Sequence, residues 1–225
     1  MCKLIVIEGT DCSGKQTQTD MLFEHLLKNN IKTNKFSFPA YDSPTGKIIG
    51  GPYLGKDYIC DGWFSEGAAD VDPKVSALYY AADRRYHLPT LNKFLHEGHL
   101  LLDRYTTSNM GHQAGMLPTK EERHKMVKWL DSLEYEALEL PRPDITIFLH
   151  LPYEYSLELK QNRNEVEHLD ELERNKKHLI NAENAYLELA EAYGWITINC
   201  VKEGHVRSIE DIHNEIYEKI KKELM

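Results

Sequence analysis

The stretch KLIVIEGTDCSGKQTQTDML, residues 3–22, decides how the rest of the chain is read. Its first part, KLIVIE (3–8), is a β-branched apolar run of strand length. From Lys15 to Asn30 the residues Met21, Leu22, His25 and Leu26 fall on one face at helical spacing. Between strand and helix lies the spacing G-x-x-x-x-G-K, from Gly9 to Lys15. In that setting the pattern predicts a phosphate cradle. Gly9 and Gly14 permit a concavity of inward-pointing backbone N–H groups around Cys12 and Ser13. The helix N-terminus adds partial positive charge, and Lys15 adds a full one.

Two residues of this loop are unusual. Where such loops carry a Ser or Thr hydroxyl for magnesium, this chain has Gln16, with Thr17 one place on. Magnesium takes oxygen ligands and commonly keeps several waters. The expectation is therefore a magnesium ion at the bound phosphates, with the Gln16 carbonyl on the ion directly or through water. Asp11 brings negative charge to an anion site. That suits a carboxylate facing a metal, an arginine or a substrate hydroxyl; capping the helix is its plainer role.

Outward from the loop, Thr33–Phe38 predicts a second strand stopping at Pro39. Tyr41–Gly62 is rich in Gly, Pro, Asp and Tyr and reads as loop with room for one short helix. Asp72-Pro73 predicts a helix start, the helix running to Glu97 with a bend near Pro89. HLLLD (99–103) is a buried strand, followed by a helix over Lys120–Glu139. DITIFL (144–149) and WITINC (195–200) are the later strands, with helices at 153–163, 168–194 and 209–224. Near-continuous apolar strands alternating with helices predict an α/β fold, a parallel sheet covered on both faces. With no internal repeat or linker, residues 1–225 read as one domain.

Totals exclude some classes of function. A net charge of −9 argues against nucleic acid or an anionic membrane as the main partner. The cysteines Cys2, Cys12, Cys60 and Cys200 are scattered without a C-x-x-C pair, which favours reduced thiols and a cytoplasmic setting. The chain opens directly into a strand-like run, so no signal peptide is expected, and no apolar stretch approaches the roughly 18–20 residues that span a bilayer.

Other polar residues cluster at positions suited to chemistry. Asp103-Arg104-Tyr105 ends the third strand, and open parallel sheets collect ligands at the carboxyl ends of their strands. Asp103 is placed to position magnesium through water, and Arg104 to hold a phosphate by a two-pronged contact; a plain ion pair at a strand end is the competing reading. Tyr80 and Arg84 share a helix face, either an aromatic for a base and a guanidinium for its phosphate or, as is commoner at that spacing, a half-buried helix surface. Lys160 and Arg163 lie in KQNRNEVEH, either a flap delivering a cation or a solvated loop.

Taken in order, these segments resemble the thymidylate kinase family of P-loop nucleoside monophosphate kinases. The resemblance is carried by IEGTDCSGKQTQ (7–18), FP (38–39), YYAADR (79–84), LLDRYTTSNMGHQAG (101–115), PDITIFLHLP (143–152) and AYLELAEAYG (185–194). It implies a P-loop NTPase fold with a five-stranded parallel sheet, and magnesium-assisted transfer of the ATP γ-phosphoryl group to dTMP. It also implies a homodimer. By position it assigns Gly14 and Lys15 to the ATP phosphates, Asp11 to the neighbourhood of the deoxyribose 3′-hydroxyl, and Tyr80 to the thymine. Phe38, Pro39, Arg84, Arg104, Tyr105, Ser108 and Gln113 fall on the acceptor side, Asp103 near the metal's waters, and Arg163 on a flap at about 160–170.

The departures are Gln16, Cys12 where some relatives place an arginine, and Tyr41 where an arginine usually follows FP. They leave open a monophosphate kinase with another acceptor and a nucleotide-binding protein with little turnover.

Overall fold

The computed structural model describes residues 2–162 and 171–224, so the predicted flap cation Arg163 lies outside the described residues. Strand β1 (Leu4–Gly9) is buried along its whole length. It sits at the centre of a five-stranded sheet, between β3 (His99–Asp103) and β4 (Ile145–His150). Strands β2 (Thr33–Ser37) and β5 (Ile196–Asn199) form the edges, in the order β2-β3-β1-β4-β5, and every pairing is parallel.

Because successive strand residues point to opposite faces, β1 feeds two cores. Ile5 and Ile7 pack with Ile147 and Leu149 beneath α1 (Lys15–Lys28) and α9 (Ile209–Leu224), through Leu22, Leu26, Ile212 and Ile216. On the other face Leu4 and Val6 join Leu100 and Leu102 against Leu88 and Leu91 of α3 (Pro73–Glu97). Each such side chain, fully withdrawn from water, contributes about 1.5–3 kcal/mol before entropy is counted. This double burial makes β1 the rigid base of the loop that follows it.

Local chemistry sets the helix boundaries. The Asp72 side chain caps α3 by accepting from Lys74 N at 2.9 Å and Val75 N at 3.2 Å, and the helix continues through Pro89 to Glu97. Helix α5 (Lys120–Asp131) opens on a capping box between Thr119 and Glu122. The helix predicted to reach Glu139 stops at Asp131 and continues as a π-helical turn, Ser132–Ala137. The region 41–62 folds more fully than a loop: α2 (Pro44–Ile48) runs into a π-helical turn, Ile49–Tyr53. Of the helix predicted over 168–194, residues 168–170 lie outside the described residues and the rest is two helices, α7 (Glu171–Arg174) and α8 (Lys176–Tyr193), divided where the Asn175 side chain caps α8. Helix α6 (Tyr153–Asn162) precedes them.

Two elements were not predicted. One is a short antiparallel hairpin of β6 (Val201–Lys202) and β7 (His205–Val206). The other, α4 (Thr106–Gly115), packs against α8 and lines the site. Among the described residues no helix is long and apolar enough to cross a membrane.

Candidate active site

The cradle forms where β1 gives way to α1. Gly14 caps the helix at φ +82° and Cys12 stands at φ +58°, both left-handed, and these turn the loop back on itself. A Cβ on Gly9 would lie 2.4 Å from Ser13 Oγ and 2.7 Å from the Leu149 carbonyl, so only glycine lets the loop close onto β4. Thr10 pins the same turn, donating to Leu151 O at 2.7 Å and accepting from Leu151 N at 2.9 Å.

Lys15 is buried inside the loop and donates to Gly9 O at 3.2 Å and Thr10 O at 2.8 Å. Burial, and then the charge of Arg104, lower its pKa to about 8. An incoming phosphate would replace weak carbonyl contacts with full negative charge. Beneath the loop the Cys200 thiol packs against Ser13 O at 3.9 Å; burial pushes it up to about 12, far from thiolate chemistry.

Beside β1, the end of β3 presents the second half of the site. Ile7 and Asp103 are register partners, and Arg104 N donates to Ile7 O at 3.1 Å. Arg104 itself stands at φ +64°, an uncommon conformation for a side-chain-bearing residue and one that concentrates at functional sites. Its guanidinium lies 3.8 Å from Glu8 and 3.5 Å from His112 Nε2. Burial, with His178 and Arg104 adding to it, pushes the His112 imidazole well below its usual pKa, so it meets Arg104 as a neutral acceptor. Glu8 is completely buried and accepts from Gly9 N (3.0 Å), Thr107 Oγ1 (3.0 Å), Ser108 Oγ (2.6 Å) and Tyr186 OH (3.2 Å). One carboxylate thus ties the cradle, α4 and α8 together and supports Arg104 from behind.

Asp103 has one oxygen 3.3 Å from Ser37 Oγ, while its Oδ1 is buried with no hydrogen-bond partner. Burial raises its pKa, and Arg104 and Lys15 pull it back.

Facing these groups is a cavity of about 570 Å³. It is lined by Asp11, Cys12, Gly14, Gln16 and Thr17 of the loop and α1, by Phe38, Pro39 and Tyr41 after β2, and by Tyr80, Arg84, Tyr105, Ser108 and Gln113. Of the remaining sequence-predicted residues, Gly9 and Ser13 shape the cradle without lining the cavity. Arg84 is 2% exposed: its Nε donates to Glu134 at 2.8 Å, a terminal nitrogen to the other Glu134 oxygen, and its other terminal nitrogen to Tyr105 O at 3.4 Å. Asn109 Nδ2 also donates to Glu134, at 2.8 Å. Tyr80 is braced edge-on by Tyr53 at 5.8 Å. Gln113, 1% exposed, has its side-chain oxygen buried without a partner.

Sequence reading missed Glu8, His112, Asn109, Glu134 and Lys56. A signal existed for the first alone: a carboxylate closing an otherwise apolar strand is costly to bury unless it serves a network.

The donor set fits magnesium. Among the described residues no group of three His, Cys, Asp or Glu forms a metal cage. Magnesium asks for less, one or two carboxylates with nucleotide phosphates and water supplying the rest. The unpartnered Asp103 Oδ1 and the exposed Gln16 beside the cradle offer oxygens of that kind.

A phosphate cradle and an Asp-Arg pair on adjacent parallel strands, opening into one cavity, place the molecule in the class of P-loop nucleotide phosphotransferases. A family model described as thymidylate kinase matches residues 7–216. The chain is 28% identical to a thymidylate kinase of Plasmodium falciparum (isolate 3D7), covering 98% of this chain and 90% of that protein. It is 33% identical to a probable thymidylate kinase of Thermococcus onnurineus (strain NA1), covering 98% of both. The solved structure of thymidylate kinase from Candida albicans superposes with a TM-score of 0.74 at 22% identity, covering 99% of this chain and 92% of that one, a likeness of fold. The chain belongs to the thymidylate kinase family.

Proposed function

We propose that the pocket transfers the γ-phosphoryl group of ATP to dTMP, giving dTDP and ADP. The observation that carries this reading is the placement of Lys15, at the start of α1, and Arg104 beyond the carboxyl ends of adjacent strands β1 and β3, both lining one cavity. Phosphoryl transfer demands positioning and charge neutralisation far more than covalent help from the protein. The acceptor's phosphate oxygen attacks the γ-phosphorus while the bond to the β-phosphate oxygen breaks.

Lys15 and the cradle N–H groups hold the donor phosphates. Arg104, steadied by Glu8, holds the acceptor phosphate, and Arg84 keeps donors available beyond those it gives to Glu134 and Tyr105. Tyr80 stacks on the base, and the unpartnered oxygen of Gln113 accepts from it. Asp11 reaches the sugar hydroxyl. Asp103 and Gln16 would hold magnesium, which would supply neutralisation of the phosphate charge. Cytoplasmic residence and a homodimer belong to the same reading.

The test is a coupled ADP-release assay over a panel of nucleoside monophosphates. Turnover on dTMP is expected, and Arg104→Ala should lower it on the order of 100-fold, the scale of one preorganised charge contact. Tyr41 in place of an arginine favours a second reading, in which only another monophosphate is turned over. No ADP release with any acceptor would sink both.

A further inference from the structure

A guanidinium makes a two-pronged contact with phosphate only when one edge of its plane is turned toward the ligand. Something must therefore set the rotation of Arg104. Glu8 supplies opposite charge at 3.8 Å, too far for a hydrogen bond. That carboxylate already accepts from Gly9 N, Thr107 Oγ1, Ser108 Oγ and Tyr186 OH, which take up its lone pairs. Glu8 attracts the guanidinium without fixing its orientation.

The directional contact comes from His112, whose Nε2 lies 3.5 Å from Arg104 Nη1. The ion pair with Glu8 falls on the same nitrogen. With both contacts on Nη1, the Nε–Nη2 edge is left for a ligand among the described residues. That edge carries two parallel N–H groups, the geometry that matches phosphate oxygens.

His112 is itself held on several sides. It stands one turn beyond Ser108 on α4, so the two share a face; Ser108 secures Glu8 and His112 meets Arg104. Behind it, Nδ1 lies 3.1 Å from His178 Nε2, and the two rings stack at 5.2 Å with 10° between their planes. The Tyr186 ring meets His112 edge-on at 5.5 Å. Arginine can only donate, so His112 Nε2 accepts. The neutral ring, favoured by burial, then carries its proton on Nδ1 and donates it to His178. One tautomer satisfies both contacts. His178 lies in the first turn of α8, where its backbone N–H donates to the capping Asn175 side chain at 3.0 Å. A connected series thus runs from Arg104, at the end of β3, through His112 to the start of α8.

We propose that His112 is a positioning residue: braced by His178, it holds Arg104 by one nitrogen and turns the opposite edge of the guanidinium toward the phosphate of the acceptor nucleotide. The proposal rests on reading this pocket as a monophosphate site. It gives a task to a histidine pair that the transfer of a phosphoryl group does not itself call on.

The test compares binding of dTMP with binding of thymidine, which lacks the phosphate, by titration calorimetry on the purified full chain. His112→Leu should weaken dTMP by about tenfold, the factor of one hydrogen bond, and leave thymidine within about twofold. His112→Gln should keep most of the dTMP affinity, because its side-chain oxygen reaches as far as Nε2 does. The shorter His112→Asn should not. In turnover, the KM for dTMP should rise in His112→Leu while that for ATP stays put. His178→Leu should weaken dTMP by less, and adding it to His112→Leu should cost nothing more, since His178 acts through His112. Unchanged dTMP affinity in His112→Leu overturns the proposal, as does an equal loss for thymidine or full additivity with His178→Leu. If His112→Leu does not fold, the Gln and Asn variants decide: equal dTMP affinity in the two overturns the proposal, and so does failure of both to fold. Wild-type protein inactive on every monophosphate would overturn the reaction itself. An active wild type with an indifferent His112→Leu overturns this proposal alone.

Discussion

Replacing Glu134 with Ala would strip the carboxylate from an ion pair withdrawn from water on both sides, Arg84 at 2% exposure and Glu134 at 0%. Three donors would be left facing a void: Arg84 Nε, an Arg84 terminal nitrogen and Asn109 Nδ2. Breaking a buried pair by removing one partner typically costs 3–5 kcal/mol, because the charge that remains has lost both water and counter-ion; about 4 is expected here. For a chain of 225 residues each kcal/mol moves the midpoint by roughly 2–4 °C, so melting should fall by about 8–16 °C. Calorimetry, with guanidinium unfolding as a second measure, reads this directly. The control is Arg84→Met/Glu134→Leu, which removes charge and counter-charge together. It should recover most of the loss, since apolar replacement of a whole buried pair is often neutral. A single variant within about 1 kcal/mol of wild type, or a double variant no better than the single, would refute the reasoning. The same variants separate two roles of Arg84. If it only braces α3 against the π-helical turn at Ser132–Ala137, the double variant should bind dTMP normally; if it also meets the acceptor, affinity should stay low.

Lys15 sets a pH dependence. Its amine is charged below about 8 and loses its proton above, so kcat/KM for ATP should decline as pH rises through that value. A profile flat to about pH 9.5 would count against the depressed amine. The sign for stability is opposite. Between about 8 and the ordinary value of 10.5 the unfolded chain binds more protons at this residue than the folded one, so this group's contribution to stability grows with pH. Gln113→Leu should leave the free protein as stable as wild type or more so, because it removes a buried acceptor without a partner. The same change should raise the KM for dTMP by about 10-fold while sparing ATP, the effect of one lost hydrogen bond; unaltered dTMP kinetics would remove Gln113 from the acceptor site.

The strands and the cradle were legible because each depends on local pattern. An apolar run and a glycine-lysine spacing carry their meaning in a handful of neighbouring residues. Helix α4 was not, and its sequence TTSNMGHQAG shows why: β-branched, Asn and Gly residues give it little helical propensity of its own. It is helical because of what it packs on. A Cβ on Gly111 would sit 2.3 Å from the Tyr186 ring, so the glycine that weakens the helix is what allows α8 to approach. The same limit applied to the site. Asp103, Arg104 and Tyr80 could be picked out by residue type and position, whereas Glu134 enters through a π-helical turn that no periodicity announces. Glu134 lies 50 positions from Arg84 in the chain, and only the folded molecule makes them neighbours.

The pairing of Ile7 with Asp103 has a further consequence. Adjacent strands stand about 4.8 Å apart, a spacing fixed by backbone hydrogen bonds and indifferent to side chains. The gap between the cradle and Arg104 is therefore a property of the main chain, like the jaw spacing of a vice. Other lining residues, Tyr41 among them, hang from turns outside that frame. Sequence drift there can change which monophosphate is gripped, and how firmly, while the distance a phosphoryl group must travel stays the same.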